Sequence, residues 1–351
     1  MPERLRCGVI GNGAGGLEHL SSLLHCPRAV AVAIAESHPG RAKEAAERYK
    51  IARSYADYRD LLDQPDLDAV TIAVPNHLHA TIAIDALEAR KHVLLEPPMA
   101  TNTKDAARLL ETARKTKRTI MVARKLRFLR HAQMAKAVID RGDLGEPYHT
   151  RGFWLRRNGI PRIGSWYTQK QQSGGGCLID LGAQVLDLCC SLLGEFDVKT
   201  VSAQTFAKFG THGSGEMDWG KSEIEAKRPF DVDDCAVALL RLRSGRTLVL
   251  ETSWAANLPP DGRELGVDLL GSAAGLSLFP ARLFRPGAAG YETLNLALPG
   301  ALPSEDPLHH FVLCVLDGRK PLVTPEESLK LQRILDALYA SSASGKEVRL
   351  G

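Results

Sequence analysis

From residue 5 onward the chain alternates short apolar runs with longer stretches whose apolar positions recur every three to four residues. RCGVI, AVAVAIA, AVTIAVP, KHVLLE and RTIMVA have the length of buried strands, and HLHATIAIDALEAR and TKDAARLLETARKT carry helical spacing. Such alternation predicts a doubly wound parallel sheet, an α/β fold whose ligands lie at the carboxyl ends of the strands. Past about residue 125 the pattern changes. YHTRGFWLRR, DVKTVSAQTFAKF, DDCAVALLRLRSGRTLVLETSWA and GVDLLGSAAGLSLFP read as strands, with Ser244-Gly245 a hairpin turn, and predict a mostly antiparallel sheet with one polar or partner-facing side. The last helix is marked by Thr324 as N-cap, Pro325 in the first turn, Glu327 completing a capping box and Gly345 as a stop. Its Leu331, Leu335 and Leu338 are expected in the core.

A chain of 351 residues is long enough for two domains, each burying its own core. The change of pattern sets them at 1–124 and 125–351, with the final segment free to pack back on the first. The 44% apolar and 25% charged residues suit a globular protein, and runs such as AVAVAIA fall short of a membrane span. A net charge of +4 is too small to imply a nucleic-acid surface, and the basic stretch Lys104 to Arg118 reads as a solvated helix face. Seven cysteines without C-x-x-C spacing predict reduced thiols. MPERLR leads directly into the first apolar run without a secretory pattern, so a cytoplasmic protein is expected.

The first strand is followed by Gly11-Asn12-Gly13-Ala14-Gly15-Gly16 and a helix with Leu17, Leu20, Leu23 and Leu24 on its apolar side. This is G-x-G-x-x-G between strand and helix. Gly11 permits the tight turn, Gly13 lets the backbone approach a pyrophosphate, and Gly16 lets helix and strand pack closely, so that Gly11 to Gly16 predict a dinucleotide site. The second strand ends at Glu36, where a carboxylate can bind both adenosine ribose hydroxyls and repel a 2′-phosphate. NAD is therefore expected over NADP, with NADP left possible by Ser37, His38 and Arg41; a solvated strand-end role for Glu36 is the alternative. Pro75, Asn76 and His79, then Glu96-Pro97-Pro98, then Arg124 and Lys125 fall at the same sheet edge. The histidines of NHLH lack a partnering cysteine or carboxylate cluster, and no metal is expected.

In the second half, SWYTQKQQSGGGCLIDLGAQVLDLCC concentrates the chemistry, with Trp166 counted among the cofactor contacts. If its second part is helical, Asp180, Gln184 and Asp187 stand at i, i+4 and i+7 and share a face. The alternative is that Asp180 caps the helix after the Ser173-Gly176 loop and Asp187 pairs structurally. Spacing alone does not choose.

The glycine fingerprint, PNHLHA, EPPMA, GGGCLIDLGAQVLD, VDDCAVALLRLRSG and TPEESLKLQRILDALYASSASGKEVRL together resemble the Gfo/Idh/MocA family, named for glucose-fructose oxidoreductase, inositol dehydrogenase and rhizopine catabolism proteins. The likeness spans nearly the whole chain. It implies a Rossmann domain followed by an α+β domain whose large open sheet serves the substrate site and oligomer contacts, in a homodimer or homotetramer. It also implies carbohydrate metabolism: hydride transfer between a nicotinamide and a sugar, polyol or related small hydroxyl or carbonyl compound. In the family pattern a lysine in E-K-P and a histidine in D-x-G-x-H-x-x-D hold and deprotonate the reacting hydroxyl, and an aspartate orients the histidine. Here Pro97 replaces the lysine and Gln184 the histidine, and neither takes up a proton at physiological pH.

Asp180 is retained. Lys125, just past the neighbouring strand, is a candidate to replace the lost amine, against a solvated or phosphate-binding role. Arg124, Arg127, Arg156, Arg157 and Arg162 hint at an acidic substrate. The expected function is a nicotinamide-dependent oxidoreductase with an atypical proton relay. The alternatives are a catalytically impaired dinucleotide-binding sensor or subunit partner, and an enzyme that retains NAD and oxidises transiently to assist elimination or glycoside cleavage.

Overall fold

The computed structural model describes residues 4–217, 229–260, 262–288, 290–296 and 306–351. The chain forms two compact units, Met1–Arg124 with Glu305–Gln332, and Lys125–Ser304 with Arg333–Gly351.

In the first unit, β1 (Leu5–Ile10), β2 (Ala29–Ala35), β3 (Arg53–Tyr55), β4 (Ala69–Ile72), β5 (His92–Leu95) and β6 (Ile120–Val122) form one sheet in the order β3-β2-β1-β4-β5-β6. Every pairing in it is parallel. Val9, Val70, Ile72, Leu94 and Leu95 are fully buried, as a sheet covered on both faces requires. The strand order reverses between β1 and β4, and in doubly wound sheets that switch point, at the carboxyl edge, holds the ligand. The helix Thr103–Thr116 spans the predicted segment; Asn102 caps it by accepting from the Asp105 amide, and Leu109, Leu110 and Ala113 fill its inner face. Thr324 and Glu327 form the expected reciprocal box at the start of helix Pro325–Ser344.

Among the described residues the second unit has nine strands: β7 (Pro147–Leu155), β8 (Val198–Phe206), β9 (Cys235–Leu242), β10 (Thr247–Ser253), β11 (Leu265–Gly271), β12 (Gly275–Leu278), β13 (Arg282–Gly287), β14 (Gly290–Asn295) and β15 (Val348–Arg349). Their order is β14-β13-β12-β11-β7-β10-β9-β8-β15. All pairings are antiparallel except that of β7 with β10. Strand alternation divides the residues between two faces. Leu240, Leu248, Leu250 and Leu269 are buried on the face that receives helix Ala183–Leu193, whereas Val237 and Leu270 on the other face are 40% and 44% exposed. By length and composition the stretch Lys170–Leu193 could cross a membrane, but 83% of its most apolar window is buried, which makes it the core helix of this unit.

Candidate functional site

At the carboxyl end of β1 the backbone turns sharply at Gly11, whose φ of +99° suits only glycine and whose absent Cβ would collide with the Ala73 carbonyl. A Cβ on Gly16 would strike the Gly11 carbonyl, so that glycine sets the closeness of helix Ala14–His25 to the turn. A Cβ on Gly13 would meet nothing within 4 Å, which leaves room for a ligand to approach the backbone at that point. The three glycines thus fit a pyrophosphate at the helix N-terminus, each for a different reason.

Glu36 follows β2 and is tied to this loop: its Oε2 accepts from the Asn12 amide at 2.9 Å, and its Oε1 from the Ser37 hydroxyl at 3.1 Å. Asn12 Nδ2 donates to the Arg41 carbonyl at 3.1 Å, and Arg41 reaches back to the Asn12 carbonyl at 3.4 Å. The carboxylate is thereby fixed while retaining lone pairs for a ribose, and these residues fit NAD. The protein is expected to bind NAD over NADP by at least about tenfold, equivalent to ~1.4 kcal/mol, and Glu36→Ala to narrow that ratio. Calorimetry with both nucleotides measures it; a wild type that prefers NADP contradicts the role given to Glu36.

After β4, Pro75 precedes the short turn Asn76–Leu78, in which Asn76 is buried. His79 opens the next helix and is 1% exposed, its Nδ1 2.7 Å from the Pro98 carbonyl and its Nε2 2.8 Å from the Val74 carbonyl. Both ring nitrogens therefore face backbone oxygens. Burial pushes its pKa down, against the pull of the two carbonyls. Glu96, Pro97 and Pro98 follow β5, and the peptide between the prolines is cis. β6 lies beside β5, paired with it in parallel. Arg124 is 3% exposed and ends the first unit; Lys125 opens the second, half-buried, at the start of the turn Lys125–Phe128.

In the second unit, Trp166 lies in the short turn Trp166–Thr168, stacked on Tyr167 with ring centroids 3.7 Å apart. Leu178–Gly182 is a π-helical turn that runs into helix Ala183–Leu193. Sequence reasoning missed both this bulge and its support. The Asp233 carboxylate accepts from the Gly176 and Leu178 amides at 2.8 Å each and from the Tyr339 hydroxyl at 2.9 Å, filling orphan donors at the start of the helix. The adjacent acids of VDDCAVALL were the available signal, because carboxylates at the head of a strand have few reasons to be buried. Asp234, with 0% exposure, accepts from the Lys208, Phe209 and Gly210 amides.

Asp180 therefore does not cap its helix; Asp233 does. Trp254 Nε1, on a side chain 1% exposed, donates to Asp180 Oδ2 at 2.8 Å, and no other partner of the Asp180 carboxyl is found among the described residues. Burial holds its pKa above the ordinary carboxylate range, opposed by the Trp254 hydrogen bond and the Arg156 charge and reinforced by Asp233. Gln184 is half-buried and its side chain makes no hydrogen bond among the described residues, so its amide can donate to and accept from a hydroxyl.

Asp187 corrects the expectation of a shared catalytic face. Arg127 Nε and Nη2 each donate to it at 2.7 Å, and the two side chains are 3% and 1% exposed. The pair is committed to the core, because a buried carboxylate is tolerable only when its charge and lone pairs are answered. Arg127 is removed by the same contact from the set that hinted at an acidic substrate. Arg156 is also engaged, with Glu264 at 3.3 Å and over the Trp154 ring at 5.1 Å.

The family model described as oxidoreductase family, NAD-binding Rossmann fold, matches residues 5–124, and that of the GFO/IDH/MocA C-terminal domain matches residues 132–277. The chain is 30% identical to D-glucoside 3-dehydrogenase of Escherichia coli (strain K12), covering 99% of this chain and 97% of that protein. It is 32% identical to levoglucosan dehydrogenase of Pseudarthrobacter phenanthrenivorans over 73% of this chain and 69% of the relative. The solved levoglucosan dehydrogenase in complex with NADH and levoglucosan matches with a TM-score of 0.84 at 26% identity, over 99% of both chains.

Proposed function

Because the chain belongs to the Gfo/Idh/MocA family of NAD-binding oxidoreductases, we propose that it transfers hydride between NAD and a ring hydroxyl of a sugar, polyol or related small compound, with Asp180 as the proton acceptor. The observation that carries this reading is the Asp180 carboxyl itself: one oxygen is anchored by Trp254 Nε1, the other has no partner among the described residues, and burial raises its pKa. A carboxylate so placed is a stronger base than an ordinary aspartate, and it stands in the motif where the missing histidine would have taken the proton.

The nicotinamide, when bound, supplies a two-electron hydride acceptor or donor. This chain's residues do the rest. The glycine turn and Glu36 hold the dinucleotide, Gln184 orients the substrate hydroxyl by hydrogen bonding, and Asp180 takes its proton. Lys125 completes the relay by holding the substrate oxygen with its ammonium. Lys125→Met is expected to lower kcat by about 10²-fold with little change in NAD affinity, and an unchanged kcat removes Lys125 from the relay.

The same reading includes a homo-oligomer formed through the open sheet face, where Phe206, Val237 and Leu270 are 38%, 40% and 44% exposed. It also includes a cytoplasmic site of action, supported by seven cysteines of which none forms a disulfide among the described residues. The test of the function is a turnover screen at 340 nm with NAD over glucosides, anhydrosugars, inositols and sugar acids. Substrate-dependent NADH formation is expected with a neutral sugar or polyol. Tight NAD binding with no turnover across the panel contradicts the reading.

A further inference from the structure

The Glu96 side chain lies along the glycine loop: a Cβ added at Gly15 would sit 3.5 Å from Glu96 Cγ. A carboxylate is thus within reach of the positive end of helix Ala14–His25, where the phosphates of a dinucleotide belong. A carboxylate turned toward those amides would compete with the phosphates for them and repel the phosphates. His19, on the same helix and 4% exposed, has its Nε2 2.6 Å from Glu96 Oε1. Its Nδ1 is buried with no hydrogen-bond partner. A buried N–H without an acceptor costs more than an unmatched lone pair, so the proton sits on Nε2 and is donated to Glu96. The backbone of the turn has a separate anchor, His79 Nδ1 at the Pro98 carbonyl.

We infer that His19 is a positioning residue for the cofactor: it fixes the Glu96 carboxylate against the inner side of the helix and so keeps the anion site at the glycine loop open for NAD. This rests on NAD binding at that loop, which the wild-type titration establishes independently.

The test compares four purified proteins, wild type, His19→Leu, His19→Gln and the double variant His19→Leu/Glu96→Gln, by calorimetric titration with NAD, with thermal melting to establish that each is folded. His19→Leu is expected to weaken NAD binding by at least about tenfold, the scale of one misplaced charge at a helix terminus. The double variant, in which residue 96 carries no charge, is expected to regain wild-type affinity to within about threefold, and His19→Gln, whose amide can donate to Glu96, to bind nearly as the wild type does. A general packing defect from losing the imidazole would not be relieved at Glu96. The inference is overturned if His19→Leu binds NAD as tightly as wild type, or if the double variant is as weak as the single one.

Discussion

Asp180→Asn is expected to lower kcat by about 10³-fold while leaving NAD affinity unchanged, within the range that a positioned acid-base group contributes. The substitution is isosteric, and an asparagine carbonyl can still accept the Trp254 Nε1 hydrogen bond, so the side chain stays where it is and loses only its capacity for a proton. The two positions that carry lysine and histidine in the family pattern hold no titratable group here. Pro97 has no titratable atom, and the Gln184 amide does not accept protons near neutrality. Steady-state kinetics with a substrate from the 340 nm screen measures the effect. A kcat within about threefold of wild type shows that the proton leaves by another route.

Arg127→Ala is expected to destabilise the protein by about 3–5 kcal/mol, because it strands the Asp187 carboxylate in the core without its charge partner. The guanidinium also lies over the Phe196 ring at 5.2 Å, so packing is lost with the charge. Replacing both partners by apolar residues, Arg127→Met with Asp187→Leu, is expected to recover most of the loss, because no buried charge then remains. Urea unfolding of the three proteins measures it. A loss below about 1 kcal/mol in Arg127→Ala contradicts the commitment of the pair to the core.

The alternation of β1, β2, β4, β5 and β6 with the helices that follow β1, β4 and β5 was legible because each of these parallel strands is a short continuous apolar run and each of those helices carries helical spacing, whereas the polar helix Pro39–Tyr49, the three-residue β3 and the short helix Tyr58–Leu62 were not read from the sequence. The glycine turn and Glu36 were legible for a related reason: the fingerprint is local, and the backbone geometry that it needs is encoded within six residues. What was hidden depends on residues far apart in sequence. Asp187 could be read as functional or structural until Arg127, sixty positions earlier, was found against both of its oxygens. Trp254 and Asp233 support the motif helix across 74 and 55 residues, and no periodicity announces such contacts. The π turn at Leu178–Gly182 escaped because helical spacing assumes 3.6 residues per turn throughout. The strands β13 and β14 were missed because Pro286, Gly287 and Gly290 read as breakers, although proline and glycine are tolerated near a sheet edge.

The pH dependence of kcat, measured on the wild type and on Asp180→Asn with the same substrate, decides whether Asp180 is the base. The base must be ionised to act, and burial raises its pKa, so activity is lost as pH falls through a value above the ordinary aspartate figure of about 3.9. One acid limb is expected in the wild type, displaced upward from that figure, with a residual kcat in Asp180→Asn that is flat across the same range. The same acid limb persisting in Asp180→Asn would contradict that role of Asp180.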